Sequence, residues 1–392
     1  MAWIVGATVD CRRKVDYMEE PALTDLLRRL VQAESTPAKG EAAAAEVLAD
    51  WFARQGVECA VDRWDGKRAN AFARVKSTGE RPALLFVTHL DVVSPGEEEW
   101  THPPFAAVEQ NGRIYGRGTT DMKGGIAAVA EAIREVVHAG TALKGDILFA
   151  ATAGEETDSE GVVRFVEGHE PFPPLAGIVV PEPTDMAVIT AHRGLFWLKI
   201  TTRGRAVHSS APERGINAIG SMRHVLDALE QYEVPFERHP RLGPCSMSVN
   251  TIRGGEAMNI VPDRCTLGVD IRTLPGQNHE AIRSDLERML AGLKGKVPAF
   301  DAELTVERSV GAMETDPDCP FVRTFCSAID VDLTNVVSFT TDAPHLTPLG
   351  APIVVCGPGK GQMCHQVDEF ITIDDLHIGV EGFRQVILDF LT

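Results

Sequence analysis

The chain has 392 residues, of which 44% are hydrophobic and 24% are charged, and its formal net charge at pH 7 is -18. This size predicts a globular protein of two domains, because single hydrophobic cores seldom grow beyond about 250–300 residues. The excess of acidic residues argues against a nucleic-acid or anionic-membrane partner, since both require a basic surface.

The N-terminal segment and the cysteines bear on the cellular compartment. In "MAWIVGATVDCRRKVDYMEE" a short apolar run precedes the charges, which is unlike a signal peptide, and no stretch of the chain is long enough to span a bilayer. The eight cysteines are scattered without close pairs, as is typical of reduced thiols. We therefore expect a cytoplasmic protein with neither a disulfide framework nor a cysteine zinc site.

The first part of the chain alternates between helix and strand patterns. Apolar periodicity predicts two helices between residues 21 and 55, interrupted near "ESTPAKG". Four strand-like runs follow: "AFARV", "ALLFVTHLD", "DILFAATAGEE" and "GIVVPEPT". The segment "DMKGGIAAVAEAIREVVHAG", between the second and third runs, predicts a helix that ends at Gly140. Strand, helix, strand indicates a crossover in a mostly parallel sheet.

The pattern changes near residue 191. Alternating strands and two helices follow in the order β-α-β-β-α, which predicts a separate two-layer antiparallel α+β module. After about residue 300 an α/β pattern returns, with the buried strand "APIVVCGPG" and a last helix. The fold class is therefore α/β, with a mostly parallel sheet in residues 1–189 and 303–392 and an inserted module in residues 190–302.

Polar side chains stand at the ends of the predicted strands, where the ligand crevice of an open parallel sheet lies. "LLFVTHLD" ends with His89 and Asp91, which project to the same side, so Asp91 can receive the second ring N–H of His89 or brace its loop. Acidic residues occupy three further positions of this kind: Asp121 before the helix, Glu155 and Glu156 after the third strand, and Glu182 after the fourth.

Each of these residues alone has an ordinary structural explanation, as a helix N-cap or a solvated loop charge. Together at one edge of a sheet they would repel one another strongly unless a cation neutralised them. Oxygen and imidazole ligands without a thiolate suit zinc, cobalt or manganese in a hydrolytic site. A second histidine is then expected, and the candidates are His365, after "APIVVCGPG", and His345, in "TTDAPHL".

In order and context these motifs resemble those of the dizinc M20 amidohydrolases, and the resemblance covers about residues 24–390. That family includes acetylornithine deacetylase, succinyl-diaminopimelate desuccinylase, aminoacylase and glutamate-releasing carboxypeptidases. The resemblance implies a dizinc catalytic domain, a lid and dimerisation domain formed by the inserted module, and a homodimer. One departure is Thr88, where the family usually has a glycine before the histidine, and we expect it to affect the packing beneath the site.

The resemblance also implies roles for the strand-end residues. One metal would be bound by His89 and Glu182, the other by Glu156 and His365, with Asp121 bridging the two. Glu155 would be the general base, and Asp91 the partner of His89. The peptide bond from Asp121 to Met122 is expected to be cis, as in the family.

Three residues of the inserted module resemble substrate-binding groups of the family. His208, in "RAVHSS", corresponds to a histidine that stabilises the oxyanion and often comes from the partner subunit. Arg272, in "VDIRTLPG", and Asn259, in "MNIVPD", resemble residues that hold a substrate carboxylate. Without the resemblance, the histidine and the arginine would be interpreted as ordinary surface residues.

The expected reaction is hydrolysis of the amide bond of an N-acyl amino acid. The segments "VVCGPG" and "HQVDEFI" are most similar to the deacetylase and desuccinylase branch, whereas "TTDAPHL" matches neither of the segments that separate those two enzymes. The acyl group stays open. A carboxypeptidase or dipeptidase with the same site is the alternative. A non-catalytic ligand-binding relative would lack a metal ligand or the base, and none is missing.

Overall fold

The computed structural model describes residues 20–168 and 172–392. Residues 1–19, which include Cys11 and most of the N-terminal segment that is unlike a signal peptide, lie outside these ranges. The chain forms two compact units. Unit 1 comprises the described residues up to Thr190, together with Glu314–Val336 and Thr341–Thr392, and unit 2 comprises Ala191–Met313 and Val337–Thr340.

The elements up to the first crossing between the units confirm the predicted alternation of helices and strands. In chain order they are α1 (Glu20–Gln32), α2 (Ala42–Arg54), β1 (Cys59–Trp64), β2 (Arg68–Val75), β3 (Ala83–His89), β4 (Val108–Gln110), β5 (Arg113–Tyr115), α3 (Gly124–His138), β6 (Ile147–Thr152), α4 (Glu160–Gly168), β7 (Leu175–Val180) and β8 (Val188–His192). The third helix begins at Gly124, within the predicted segment, because Asp121 and Met122 have non-helical backbone angles in the short turn Thr119–Lys123 that precedes it.

The rest of the chain first builds unit 2 and then returns to unit 1. Its elements are β9 (Gly194–Arg203), α5 (Ala218–Glu230), β10 (Ser246–Gly254), β11 (Arg264–Thr273), α6 (His279–Lys296), β12 (Asp301–Val310), β13 (Met313–Glu314), α7 (Pro320–Ala328), β14 (Thr334–Val337), β15 (Ile353–Val355), β16 (Phe370–Thr372) and α8 (Ile373–Leu391).

The largest sheet belongs mainly to unit 1, and its parallel centre confirms the predicted fold class. The strand order is β1-β2-β6-β3-β7-β15-β8-β13, with β14 paired to β8. Strand β3 pairs in parallel with both β6 and β7, and β15 extends the parallel part beyond β7. Every residue of β3 and β6 is buried, which explains why both strands are almost uninterrupted apolar runs. A separate three-stranded sheet, β16-β5-β4, also lies in unit 1.

Unit 2 has the predicted two-layer antiparallel architecture. Its four strands pair in the order β10-β11-β9-β12, and α5 and α6 share one apolar core with them. In β11 the alternation of the sequence matches the burial, since Cys265, Leu267, Val269 and Ile271 are buried in that core. The chain leaves unit 2 after Met313 rather than at residue 302, because β12 pairs along β9 and completes the sheet.

Two further observations concern the cysteines and the lengths of the helices. The seven cysteines within the described ranges are all free thiols. Among the helices of residues 20–168 and 172–392, none combines the length and the apolarity needed to cross a bilayer.

Candidate metal centre

The candidate ligands of unit 1 meet at one edge of its sheet because three parallel strands end there. His89 is the last residue of β3. The neighbouring strand β6 is followed by Glu155 and Glu156, and β7 by Glu182. Since β3 pairs in parallel with both strands, the loops after their carboxyl ends lie side by side. The convergence predicted from the strand ends is therefore present.

Asp121 lies between two histidines. Its Oδ1 atom is 3.3 Å from Nε2 of His89, and its Oδ2 atom is 3.3 Å from Nε2 of His365. The two oxygens of one carboxylate thus face two different imidazoles. The peptide bond from Asp121 to Met122 is cis, which confirms the expectation.

The glutamates lie beside the same two imidazoles. Oε1 of Glu156 is 2.8 Å from Nε2 of His365, and Oε1 of Glu182 is 3.8 Å from Nε2 of His89. His89, Asp121 and Glu156 each offer a ligand atom within 4.8 Å of the others, a spacing that could hold a metal ion. His345, the other histidine considered, lies on a short 3-10 helix at Ala343–Leu349.

Asp91 supports both the histidine and the loop after β6. Its main-chain oxygen lies 3.0 Å from Nδ1 of His89, while its carboxylate is 3.6 Å from that nitrogen. The carboxylate accepts hydrogen bonds from the backbone N–H groups of Gly154, Glu155 and Glu156 at 2.8, 3.1 and 3.0 Å. The shortest contacts of this carboxylate are therefore with the loop after β6, which carries Glu155, rather than with the His89 ring.

A second brace on this loop was not predicted from the sequence. The buried Asn70 of β2 accepts a hydrogen bond from Ala153 N–H at 3.0 Å and donates one to the Gly161 carbonyl at 2.9 Å. One amide side chain therefore fixes both ends of the segment that contains Glu155 and Glu156. The strand also contains Arg68 and Arg74, so its sequence did not single out Asn70.

Thr88, where the family usually has glycine, is accommodated beneath the site. Its buried hydroxyl donates to the Ala150 carbonyl at 3.2 Å, and its own carbonyl accepts from the Thr152 hydroxyl at 3.1 Å. Both bonds join β3 to its parallel neighbour β6. The substitution thus adds a side-chain contact between the two strands that lead into the site.

Burial dominates the electrostatics of the glutamates. Desolvation raises the pKa of Glu182 to about 8, and it also raises the pKa of Glu156 and, well above its usual range, that of Glu155. Burial opposes ionisation of Asp121 too, but its hydrogen bonds with His365 and His89 lower its pKa. The site therefore places several carboxylates where water stabilises their charge poorly, and cations beside them would offset this cost.

The imidazoles supply the positive charge that these carboxylates require. Hydrogen bonds to Asp121 and Glu156 raise the pKa of His365 to about 10. Burial opposes protonation of His89, but its hydrogen bonds with Asp121 and Asp91 raise its pKa well above the usual range. Because an imidazole binds metal only when neutral, divalent ions would displace these protons and take over their charge. Carboxylate oxygens and imidazole nitrogens are donors that suit divalent ions such as zinc, cobalt and manganese.

Cys364 lies next to His365. Burial and the neighbouring Asp121 carboxylate raise the pKa of its thiol.

The three candidate residues of unit 2 lie on two parts of that unit. His208 and Asn259 belong to adjacent segments, since His208 forms a β-bridge with Ile260 and Ser209 N–H donates to the Asn259 carbonyl at 2.9 Å. Both side chains are exposed. Arg272 lies on β11, where its Nε is 3.0 Å from Oδ1 of Asp270.

Residues 85–389 match the model of a protein family described as peptidase family M20/M25/M40. The fold is similar to that of an M20 metallo-carboxypeptidase from Sulfolobus solfataricus, with 17% identity, a TM-score of 0.80, and coverage of 95% of this chain and 99% of that one. It is similar to a tripeptidase from Staphylococcus aureus, with 21% identity, a TM-score of 0.74, and coverage of 94% and 98%.

A third structure with this fold is described as a dinuclear metal-binding peptidase. This is the YXEP protein of Bacillus subtilis, with 14% identity, a TM-score of 0.69, and coverage of 94% of this chain and 98% of that one. At such identities the similarity of the three structures establishes the fold, and the family match covers the segments that carry His89, Asp121, Glu156, Glu182 and His365.

Proposed function

The chain belongs to peptidase family M20/M25/M40, and from this premise we propose that it hydrolyses a linear amide bond between an acyl group and an amino acid. The observation that carries the proposal is the position of Asp121, whose two carboxylate oxygens each lie 3.3 Å from a different histidine. A carboxylate between two imidazoles, with a further glutamate beside each, is a donor set for two divalent ions.

The ligands divide into two groups around this carboxylate. His89 and Glu182 would hold one ion, His365 and Glu156 would hold the other, and Asp121 would contribute to both. Zinc suits these donors, and cobalt and manganese are close alternatives. When bound, the ions polarise the amide carbonyl and supply a water nucleophile of lowered pKa.

Glu155 is the proposed general base. It is buried beside the ligands, and its N–H is fixed by the Asp91 carboxylate. Its carboxylate takes a proton from the attacking water and delivers it to the nitrogen that leaves as the amine. The adjacent Glu156 lies 2.8 Å from His365, so neighbouring residues divide proton transfer and metal binding between them.

The substrate-binding groups come from unit 2. Arg272 and Asn259 bind the free carboxylate of the amino-acid part, and the arginine fork is suited to a carboxylate. His208 donates a hydrogen bond to the oxygen on which negative charge develops. The enzyme would therefore recognise the amino-acid part of the substrate through the negative charge of its carboxylate, and this part is the released amine.

The acyl side distinguishes the proposed substrate from the alternative. A deacetylase or desuccinylase accepts a small N-acyl group, whereas a carboxypeptidase or dipeptidase accepts an aminoacyl or peptidyl group. The alternative is favoured by the similarity in fold to the carboxypeptidase of S. solfataricus and to a human carnosine dipeptidase, the latter with 17% identity, a TM-score of 0.70, and coverage of 94% of this chain and 96% of that one.

A substrate panel tests the proposal. One amino acid is supplied with an N-acetyl, N-succinyl or N-aminoacyl group, each with its carboxylate free or converted to a primary amide, and kcat/KM is measured with zinc, cobalt or manganese. We expect hydrolysis of the N-acyl compounds that depends on the free carboxylate. Faster cleavage of the aminoacyl compounds would favour the peptidase alternative, and inactivity on every member of the panel would contradict the proposal.

The proposed assembly is a homodimer formed through unit 2. Strand β10 lies at the edge of the four-stranded sheet, and its residues Val249 and Ile252 are 40% and 53% exposed. An exposed edge strand with apolar side chains is suited to pairing with a second copy. Ile252→Lys should shift the protein from dimer to monomer in sedimentation analysis, and a wild-type protein that is monomeric at high concentration would contradict the assembly.

A further inference from the structure

The motif "HQVDEF" contains a buried acid that the proposed reaction does not use. The side chain of Glu369 is fully buried and forms an ion pair with Arg117, with Nη1 2.5 Å from Oε2. Its other oxygen, Oε1, accepts hydrogen bonds from the N–H groups of Thr120 and Asp121 at 2.9 and 3.1 Å. The carboxylate is thus hydrogen-bonded to the backbone of Asp121, the residue that lies between the two histidines.

Arg117 connects the same carboxylate to the other ligand segment. Its Nη1 also donates to the carbonyl of Gln366 at 3.2 Å, and this residue directly follows His365. His365 has a φ of 63°, in the left-handed region that residues other than glycine rarely adopt. A hydrogen bond to the next carbonyl helps to hold that backbone conformation, and therefore the direction of the imidazole.

Backbone contacts fix the remainder of both segments. Gly116 N–H donates to the Glu369 carbonyl at 2.8 Å, and the Thr120 hydroxyl donates to the Phe370 carbonyl at 2.6 Å. Beyond them, β16 pairs with β5. The segments that carry Asp121 and His365 are distant in sequence. The buried side chains of Glu369 and Arg117 connect them through hydrogen bonds to both.

An ordinary stabilising role explains this arrangement less well. The desolvation cost of a fully buried ion pair usually cancels most of its attraction, so such a pair contributes little net stability. Both members of this pair bond to the backbone at or next to a proposed ligand. Partners behind metal ligands commonly orient them and thereby set the affinity for the ion.

We propose that Glu369 and Arg117 are positioning residues that hold Asp121 and His365 in one metal-binding geometry. The inference rests on the proposed metal centre. Neither side chain is one of the proposed metal ligands or substrate-binding groups. Their contribution is to the affinity of the site for metal, through the direction of the two ligands that they fix.

The test compares Glu369→Gln with a matched buried acid elsewhere in unit 1. Asp146 precedes β6, at the opposite end of that strand, and its carboxylate accepts from Ser77 N–H at 2.8 Å and from Arg74 at 2.7 Å. Asp146→Asn therefore removes a similar charge that has a similar set of partners. Metal-free forms of both variants are titrated with cobalt(II) against a chromophoric chelator, and their thermal unfolding is followed by circular dichroism.

We expect Glu369→Gln to weaken cobalt binding by about 10–100-fold, the range typical of partners behind metal ligands. Asp146→Asn should lower the unfolding temperature of the metal-free protein yet keep its cobalt affinity within about twofold of wild type. Arg117→Lys keeps the charge but loses the planar fork, so it should also weaken cobalt binding, and it carries the test if Glu369→Gln does not fold.

The outcomes separate this inference from the metal centre itself. Wild-type protein that binds two cobalt ions, with variants at residues 369 and 117 that bind them equally well, would overturn the positioning role alone. Equal weakening by Asp146→Asn would also overturn it, since the effect would then follow general stability. Wild-type protein that binds fewer than two ions would overturn the metal centre, and this inference with it.

Discussion

Most candidate residues of unit 1 are buried among their neighbours, with His365 as the exposed exception, whereas both His208 and Asn259 of unit 2 are exposed. His89 and Asp91 are almost completely buried, and Asp91 alone accepts three backbone hydrogen bonds. Charged groups that are fixed before the substrate arrives do not have to reorganise during the reaction, which is the arrangement expected for catalytic groups. Exposed groups on a separate unit are suited instead to recognising the substrate when it binds. The comparison predicts that substitutions in unit 1 act mainly on kcat and that Arg272 of unit 2 acts mainly on KM.

The largest effect is expected for Glu155→Gln. The variant keeps all five proposed ligands but cannot transfer a proton, so kcat should fall by about 10²–10⁴-fold while the bound metal is unchanged. Steady-state kinetics and metal analysis of the same preparation measure both quantities. Glu160→Gln, at the exposed start of α4, is the control and should retain kcat. A Glu155→Gln variant with near-normal kcat would exclude this residue as the base.

A smaller effect is expected for His208→Ala. It would be an effect on kcat from unit 2, and so an exception to the assignment of kcat effects to unit 1. Loss of one hydrogen-bond donor to the developing oxyanion typically lowers kcat by about 10²–10³-fold, and the metal content should not change. His224→Ala, on α5 of the same unit, provides the control. If His208→Ala leaves kcat unaltered, unit 2 contributes only to binding and the division becomes sharper.

Mixing two inactive variants shows which subunit supplies His208. In a heterodimer of His208→Ala and Glu155→Gln chains, one of the two sites contains both groups only if the histidine acts across the dimer. Partial recovery of activity after subunit exchange is the expected result. An inactive mixture in which exchange has been demonstrated would mean that each chain uses its own His208, or that this histidine has no catalytic part.

The smallest effect is expected for Arg272→Ala. A hydrogen bond to a charged group contributes about 1.5–3 kcal/mol, which corresponds to a rise in KM of roughly 10–100-fold for substrates with a free carboxylate. For substrates whose carboxylate is converted to an amide, the substitution should raise KM much less. Arg264→Ala, on the same strand and exposed, is the matched control. An equal rise in KM for both kinds of substrate would show that Arg272 does not bind the carboxylate.

The two units also differ in how much of them the sequence predicted. In unit 1 the convergence of His89, Glu156 and Glu182 followed from their positions after apolar runs, because parallel strands bring their carboxyl ends to one edge. In unit 2 the residue types alone did not separate His208 or Arg272 from ordinary surface residues, and only the family resemblance singled them out. The C-terminal boundary of unit 2 lies beyond the expected residue 302 because β12 pairs with β9 of that unit. The sequence of a single strand does not show which strand it pairs with.

The supporting residues of unit 1 were the least predictable part of the site. Asn70 and Glu369 act through hydrogen bonds to backbone groups distant in sequence, and a backbone partner leaves no residue pattern. For Asp91 the sequence predicted a contact with His89 or its loop, but the three backbone hydrogen bonds from the loop after β6 depend on strand pairing that the sequence does not show. His365 and His345 were both candidates, and the structure places the first beside Glu156 and Asp121.

Metal analysis combined with anomalous diffraction tests the proposed metal centre most directly. We expect two divalent ions per chain in metal-replete protein, one beside His89 and Glu182 and the other beside His365 and Glu156, with Asp121 bound to both. The Asp121→Ala variant should lose at least one of the ions. Metal-replete protein with a single ion, or with two ions bound by other residues, would contradict the proposed centre.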